Sequence, residues 1–307
     1  MSSTGVATTY FPPMTELANS VGKDSFLFSH SLSGHELFTR DAVKRLVETI
    51  GALHVRQSFG GIPPGFFIKK DVGHLEWGSP EFQRALDEAY DNIDFSGSRI
   101  KLSDIQQVDV YRDLLAACIL NLSEVTGIDF QRDFSRAIAT LFISSPGEQT
   151  PYHVDQEVNF LLQIDGIKHV SLFDGNDRAV VTSEHMEEFW MGNSFIERSH
   201  NKEPKSYVMG PYQGVHQPPF FPHLITVGDS MSVSLSLGFR KAKFPEAEVY
   251  RMNSYLRKLG LTPNPPGSSQ VVDGLKSAII RPALRAKERF LGSNGATLSS
   301  LKKPAMR

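Results

Sequence analysis

Along residues 232–239 the chain reads Ser-Val-Ser-Leu-Ser-Leu-Gly-Phe, with small polar positions alternating with apolar ones. Side chains two apart on a strand share a face, so Ser232, Ser234 and Ser236 line one side and Val233, Leu235, Leu237 and Phe239 the other. Such a strand packs a core with one face and can line a wet cavity with the other. A second alternation starts at Asn159. Asn159, Leu161 and Gln163 share a mixed face, and Phe160, Leu162 and Ile164 a wholly apolar one. Asp165-Gly166 then predicts a tight hairpin turn into a mostly apolar strand over 167–173. Helical spacing is confined to the flanks. Val43, Leu46, Val47 and Ile50 predict a helix over 39–50 ended by Gly51, and the patterns over 80–90 and 110–125 predict two more. After Phe239, segments 245–259 and 271–290 predict helices separated by Thr-Pro-Asn-Pro-Pro-Gly-Ser-Ser, with Pro282 breaking or kinking the second.

The elements arrange as a mainly β core with peripheral helices. Residues 1–24 read as an irregular N-terminus, 25–134 as a helical and mixed region packed on the core, and 135–241 as the strand-rich core. Within the core, 182–213 reads as a long insert carrying Trp190, Phe195, Tyr207 and Tyr212, and its His185 and His200 read as surface residues. Residues 242–291 form C-terminal helices and 292–307 a disordered tail. Gly-Gly and Pro-Pro pairs over 57–67 mark a turn or a substrate loop. Leu275, Ile279, Ile280 and Leu284 need cover, either from the barrel or from a second subunit, so a homodimer through the C-terminal helices is one expectation.

Composition narrows the class. The chain has 307 residues, 40% hydrophobic and 21% charged, enough to bury a sizeable core. Its formal net charge of -2 provides no global basic field for nucleic acid or a membrane surface. No apolar run approaches the length of a membrane span, and the N-terminus lacks a secretory pattern. The single cysteine, Cys118, lies in an apolar run, so an intrachain disulfide is excluded and a reducing, cytoplasmic setting is expected.

Candidate chemistry centres on Thr150-Pro-Tyr-His-Val-Asp155 and on Pro218-Pro-Phe-Phe-Pro-His223. His153 and Asp155, two apart on an extended segment, can reach one point, and a second imidazole would complete a 2-His-1-carboxylate triad with open positions for oxygen and substrate. His223 and His216 compete for that third place. Lys168 falls in an otherwise mostly apolar stretch, where a buried ammonium needs an anion, unless it is a snorkelling surface lysine.

Taken together, Thr150-Pro-Tyr-His153-Val-Asp155, Asn159-Phe160, Gln163-Ile164-x-Gly166-x-Lys168 and Pro218-x4-His223 resemble the Jumonji-C hydroxylases of the cupin superfamily, in particular the asparaginyl hydroxylase branch and small bacterial cupin-like proteins. The resemblance spans roughly residues 138–239. It implies a double-stranded β-helix, or jelly roll, with helical additions at both ends. It also implies Fe(II), O2 and 2-oxoglutarate as cosubstrate, with succinate and CO2 released as a protein or peptide side chain or a small metabolite is hydroxylated. N-methyl demethylation shares the same chemistry. Carried over by position, His153, Asp155 and His223 hold the metal, His223 being preferred to His216 for its spacing from Pro218. Lys168 and Thr150 take the distal carboxylate of 2-oxoglutarate, and Asn159 lines the same pocket. Ser236 is a further cofactor candidate, although the chain has serines at 234 and 236 where a larger amide is expected. Arg240, at the end of the same strand, is a rival anchor. Two other readings remain: a catalytically silent cupin that binds a ligand or partner, and a zinc or manganese cupin performing isomerisation or hydrolysis.

Overall fold

The computed structural model describes residues 9–14, 17–53, 66–67, 79–95, 97 and 99–291. The expectations for residues 1–8, for most of the 57–67 loop and for the tail 292–307 lie outside them. In chain order the elements are β1 (Phe26–Ser29), α1 (Arg40–Leu53), β2 (Phe66–Phe67), α2 (Pro80–Asp91), β3 (Arg99–Leu102), α3 (Asp109–Thr126), α4 (Phe130–Asp133), β4 (Arg136–Ser144), β5 (Gln149–His153), β6 (Val158–Asp165), β7 (Lys168–Leu172), α5 (Ser183–Met191), β8 (Lys205–Met209), β9 (Gln213–Gln217), β10 (His223–Val227), β11 (Ser232–Arg240), α6 (Pro245–Lys258) and α7 (Gln270–Leu291).

Strands β4 to β11 build the body of the protein. One sheet carries the order β9-β6-β11-β4, extended by β1 at one edge and by β3 and β2 at the other; the second carries β5-β10-β7-β8. Every pairing is antiparallel. Successive strands pass back and forth between the sheets, which is the jelly-roll winding of a double-stranded β-helix. The Asp165-Gly166 turn joins β6 to β7, but the expected hairpin does not form: β6 pairs with β11 and β9 in one sheet and β7 with β10 and β8 in the other, so the turn carries the chain across the barrel from sheet to sheet. Gly166 has φ +74, and a Cβ there would lie 2.3 Å from the Met231 carbonyl oxygen, so both the turn and the close approach require glycine.

The period-2 alternation sorts the two faces. Phe160, Leu162, Ile164, Leu235, Leu237 and Phe239 turn outward and join Val43, Leu46, Val47, Leu114, Leu115 and Ile119 of the helices in the main core. Burying a phenylalanine of this kind contributes about 1.5–3 kcal/mol. The opposite faces meet between the sheets, where Leu161 and Val215 pack against Val170, Leu172 and Met209. Here the polar positions also gather. Ser234 donates to Gln163 Oε1 at 2.7 Å, Gln163 donates to Ser232 at 2.8 Å, and Ser236 donates to Asn159 Oδ1 at 2.7 Å.

Four expectations change in detail. Helix α1 runs through Gly51 to Leu53, since an interior glycine costs only about 1 kcal/mol and does not oblige a helix to stop. Helix α7 is continuous across Pro282. Within 182–213, α5 is followed by β8, which is the edge strand of the four-stranded sheet, so the excursion from the barrel is shorter than that range. His185 is not merely a surface residue, because it forms a capping box with Thr182 at the start of α5. The irregular N-terminal segment is anchored nonetheless: Phe11 is fully buried, and the amides of Tyr10 and Phe11 donate to Asn121 Oδ1 at 2.9 and 2.8 Å. Cys118 is buried, which pushes its thiol pKa up and makes it a structural residue. Among the described residues no helix is long and apolar enough to cross a membrane.

Two buried histidines hold the N-terminal segment to β9. His216 accepts from the Gly22 amide at 2.8 Å, and His30 contacts the Gln213 carbonyl at 3.2 Å. Burial lowers His216 to about 3 and His30 to about 4, against the partial compensation of nearby backbone hydrogen bonds. Folding therefore favours the neutral rings. Their contribution is complete above the unfolded value near pH 6.5 and is lost as pH falls toward the folded values, at about 1.4 kcal/mol per histidine per pH unit. We expect the melting temperature to drop between pH 6.5 and 4, and His216→Gln to flatten that drop while lowering stability at pH 7; an unchanged slope in thermal melts would contradict the assignment.

Candidate metal centre and cosubstrate pocket

Strands β5 and β10 are neighbours, and their register pairs His153 directly with His223. The two imidazoles consequently stand side by side, with ring centroids 4.2 Å apart. A shift in the pairing just after His223 marks a local irregularity of the kind that often re-aims a side chain beside a functional site. Asp155 follows β5 by two residues. Its Oδ2 lies 3.7 Å from His153 Nε2 and 3.8 Å from His223 Nε2, and the three donor atoms all fall within 4.8 Å of one another. An ion about 2.1 Å from each donor can span donors up to about 4.2 Å apart, so both imidazole–carboxylate separations already suit a shared divalent cation.

The tautomers suit it too. His153 Nδ1 sits 2.7 Å from the Pro151 carbonyl and His223 Nδ1 3.0 Å from the Phe221 carbonyl, which places the ring proton on Nδ1 and turns the Nε2 lone pair toward the cluster. His223 is lowered to about 4 by burial and by His153, against the pull of Asp155, and so is neutral at pH 7. Asp155 lies deep among protein atoms but keeps one open side, its side chain being 47% exposed. Desolvation raises its pKa, and His153, His223, Lys101 and Arg240 together outweigh that, leaving it below the ordinary carboxylate range. A ready carboxylate, the neutral His223 imidazole and the His153 Nε2 beside them form a donor set of the facial-triad type, with the remaining coordination positions left to other ligands.

The loop that delivers His223 is held under strain. Phe220 has φ +62, uncommon for a bulky residue, and its amide donates to the Asp155 carbonyl at 2.7 Å. A Cβ at Gly175 would stand 2.3 Å from the Phe220 carbonyl oxygen, so that approach is open only to glycine. These contacts tie the segments of two metal-ligand candidates together. From the excursion after α5, the Ser194 carbonyl accepts from the Val154 amide at 3.0 Å, and Phe195 places its ring 5.8 Å from that of His153. Phe195 is 47% exposed, an apolar cover beside an open carboxylate. His200, read as a surface residue, approaches Tyr152 Oη at 2.9 Å and helps seat this excursion.

Lys168 opens β7 and is 4% exposed. Burial lowers its pKa to about 7, Glu148 raising it and Arg99 lowering it further. Its ammonium stands 5.5 Å from the centroid of Phe142. Thr150 accepts a hydrogen bond from Arg99 Nη1, leaving its own hydroxyl proton to be donated elsewhere. Asn159 is buried and accepts from Ser236, while its amide donates to Gln217 Oε1 at 2.7 Å. Gln217 Nε2 and Ser144 Oγ are buried without a hydrogen-bond partner among the described residues, a surplus of polar atoms between the sheets that suits a polar ligand. Arg240 donates through Nε to Glu157 at 2.9 Å and is already paired. His216 lies away from the triad, its ring 4.7 Å from those of Phe26 and Phe160.

Arg99, Lys101, Glu148 and Gln217 are not among the residues the sequence points to, and Phe195 is marked there only as an aromatic of the 182–213 insert. For the first two a signal existed: Arg-Ile-Lys-Leu alternates cations with Ile100 and Leu102, which join the main core, so Arg99 and Lys101 face the other way. Glu148 and Phe195 sit in connections, where no periodicity reports a side chain's direction.

No protein-family model matches the chain. No curated protein matches it either. Among solved structures, YcfD of Escherichia coli aligns over 90% of this chain and 69% of its own length at 13% identity, with a TM-score of 0.49. YcfD described as a ribosomal oxygenase in complex with cobalt and 2-oxoglutarate aligns over 91% and 69% at 13% identity, with a TM-score of 0.44. A cupin superfamily protein of Desulfitobacterium hafniense aligns over 34% and 69% at 13% identity, with a TM-score of 0.24. The likenesses are distant; the strand order itself establishes the jelly roll, and the chemistry of the site is that of its own residues.

Proposed function

We propose that this chain is an Fe(II)- and 2-oxoglutarate-dependent oxygenase that hydroxylates a protein or peptide side chain or a small metabolite. The observation that carries the reading is one conjunction: a His153–Asp155–His223 donor cluster in the same barrel as a buried lysine, Lys168, that lies near the Thr150 and Arg99 pair. A metal alone would account for the first and leave the buried ammonium unexplained; a dicarboxylate reaching from the metal to Lys168 accounts for both.

When bound, iron(II) with 2-oxoglutarate and O2 supplies the oxidation: the keto acid loses CO2 and becomes succinate, and the second oxygen atom enters a substrate C–H bond. The protein's residues hold and orient. His153, Asp155 and His223 present three donors, each imidazole fixed by a backbone carbonyl. Lys168 and the Thr150 hydroxyl receive the distal carboxylate, a charge-assisted contact in a place largely removed from water. Phe195 covers His153, and Phe220 fixes the backbone of Asp155. A cavity of about 490 Å3, lined by Gln156, Trp190, Phe220, Phe244 and Tyr250, adjoins that segment and supports substrate approach from this side. A cytoplasmic setting belongs to the same reading and is supported by the single buried Cys118. Self-association through α7 is supported by the exposure of Val271, Leu275 and Ile279 on that helix.

The test is succinate release. Anaerobically purified, iron-loaded protein given 2-oxoglutarate and then oxygen, without added substrate, is expected to form succinate slowly, and the Asp155→Ala protein is not. No succinate together with no 2-oxoglutarate binding would replace this reading with that of a silent cupin.

A further inference from the structure

Three cations share the inner face around Phe142. Arg99 and Lys101 project from β3, with Lys101 5.8 Å and Lys168 5.5 Å from the Phe142 centroid. Among the described residues one carboxylate lies among them apart from the metal-ligand candidate: Glu148, 3.5 Å from Arg99, with the two side chains 14% and 12% exposed. Glu148 also acts on Lys168, raising its pKa where Arg99 lowers it. It sits in the β4–β5 turn, its amide donating to the Ser145 carbonyl at 3.2 Å and its carbonyl accepting from the Val227 amide at 2.9 Å, so its backbone is held on both sides.

The charges near the expected seat of the distal carboxylate can therefore be counted. Lys101 acts on Asp155 at the metal end; at the far end Arg99 and Lys168 contribute two positive charges and Glu148 removes one, leaving room for one anionic group. With Glu148 neutral, Arg99 and Lys168 would face the pocket together and favour a ligand with more than one carboxylate at that end. We propose that Glu148, held by Arg99 beside Lys168, is a specificity residue that limits the cosubstrate pocket to a single distal carboxylate. The inference rests on the 2-oxoglutarate reading above and adds residues that the reading does not require. Arg99 acts as a positioning residue: it keeps Glu148 from becoming the partner of Lys168 and orients the Thr150 hydroxyl.

The test is equilibrium binding to Mn(II)-loaded protein, read by calorimetry with 2-oxoglutarate, and by competition with glutarate and with tricarballylate, which carries a third carboxylate. Removing one nearby charge in a partly buried site should change affinity by about tenfold. Glu148→Gln is expected to tighten 2-oxoglutarate by about that factor and to improve tricarballylate more than glutarate. Glu148→Asp, which keeps the charge, is expected to preserve the wild-type ranking. Arg99→Gln is expected to weaken 2-oxoglutarate by freeing Glu148 to pair with Lys168, and the Arg99→Gln, Glu148→Gln double variant to recover most of that loss, short of wild type by the missing Arg99–Thr150 contact, a coupling read directly from the cycle. If Glu148→Gln leaves the ranking of the three acids unchanged, or if the double variant binds no better than Arg99→Gln, the specificity role is overturned while the cosubstrate reading stands. If wild-type protein loads metal and binds no 2-oxoglutarate, both are overturned.

Discussion

Replacement of Asp155 by alanine is expected to lower affinity for Fe(II), or for Co(II) as its stand-in, by at least about 100-fold, the upper end of what loss of an outer-shell contact alone causes. Asp155 is the only carboxylate in the cluster among the described residues, and the other two donors are imidazole nitrogens. Without it the site offers no negative charge to a divalent cation. The fold should survive, because the backbone at 155 is held through its carbonyl by the Phe220 amide and the Asp155 side chain is half exposed rather than part of either core. Titration with Co(II) monitored by its visible absorption separates the cases. Wild-type protein should saturate at one ion per chain and the Asp155→Ala protein should not, with melting temperatures within a few degrees. Stoichiometric, unweakened binding to the variant would place the metal elsewhere.

The second large effect is expected at Lys168. Lys168→Ala should weaken 2-oxoglutarate by about 30- to 1,000-fold, as happens when one partner of a buried charge pair is removed, and leave Co(II) affinity unchanged. Arg240→Ala should alter 2-oxoglutarate affinity by less than about threefold, because a partly exposed pair contributes little and Arg240 is already committed to Glu157. The reverse pattern, with Arg240 essential and Lys168 dispensable, would move the anchor to the end of β11. The pH dependence carries the same signature. With Lys168 near 7 in the free protein, binding an anion requires proton uptake above that value. The affinity of wild-type protein should accordingly fall as pH rises above 7, by up to about tenfold per unit, and this fall should vanish in Lys168→Ala.

What made these residues readable differs from one to the next. Lys168 was only partly legible: an ammonium in an apolar run two residues past an Asp-Gly turn can point inward or snorkel to the surface, and it was the family resemblance that placed it in the pocket; the structure turns it inward with Val170 and Leu172. Asn159, Gln163 and the serines of β11 were legible as the polar face of strands whose other face is apolar. His153 and Asp155 were close enough in the chain to be paired on spacing alone. The choice of His223 over His216 was different in kind. Both precede or follow the same proline pair, and what separates them is that β9 turns His216 into the aromatic core with Phe26 and Phe160, whereas β10 lies against β5.

The sequence by itself determined the alternation of faces, the turn at Gly166 (though not that it crosses between sheets instead of closing a hairpin), the flanking helices and the short-range part of the site, because these depend on residues within a few positions of one another and on the period of a strand or a helix. Only the tertiary structure decided which strands are neighbours, and hence everything that depends on neighbours: the pairing of His153 with His223, the meeting of Glu148 with Arg99 from β3, the placement of Phe195 over the metal-ligand candidates and the capture of Arg240 by Glu157. Such contacts join residues some fifty or more positions apart, or come from connections with no periodicity, and they form because the two sheets close on one another and exclude water, a long-range consequence that no local pattern encodes.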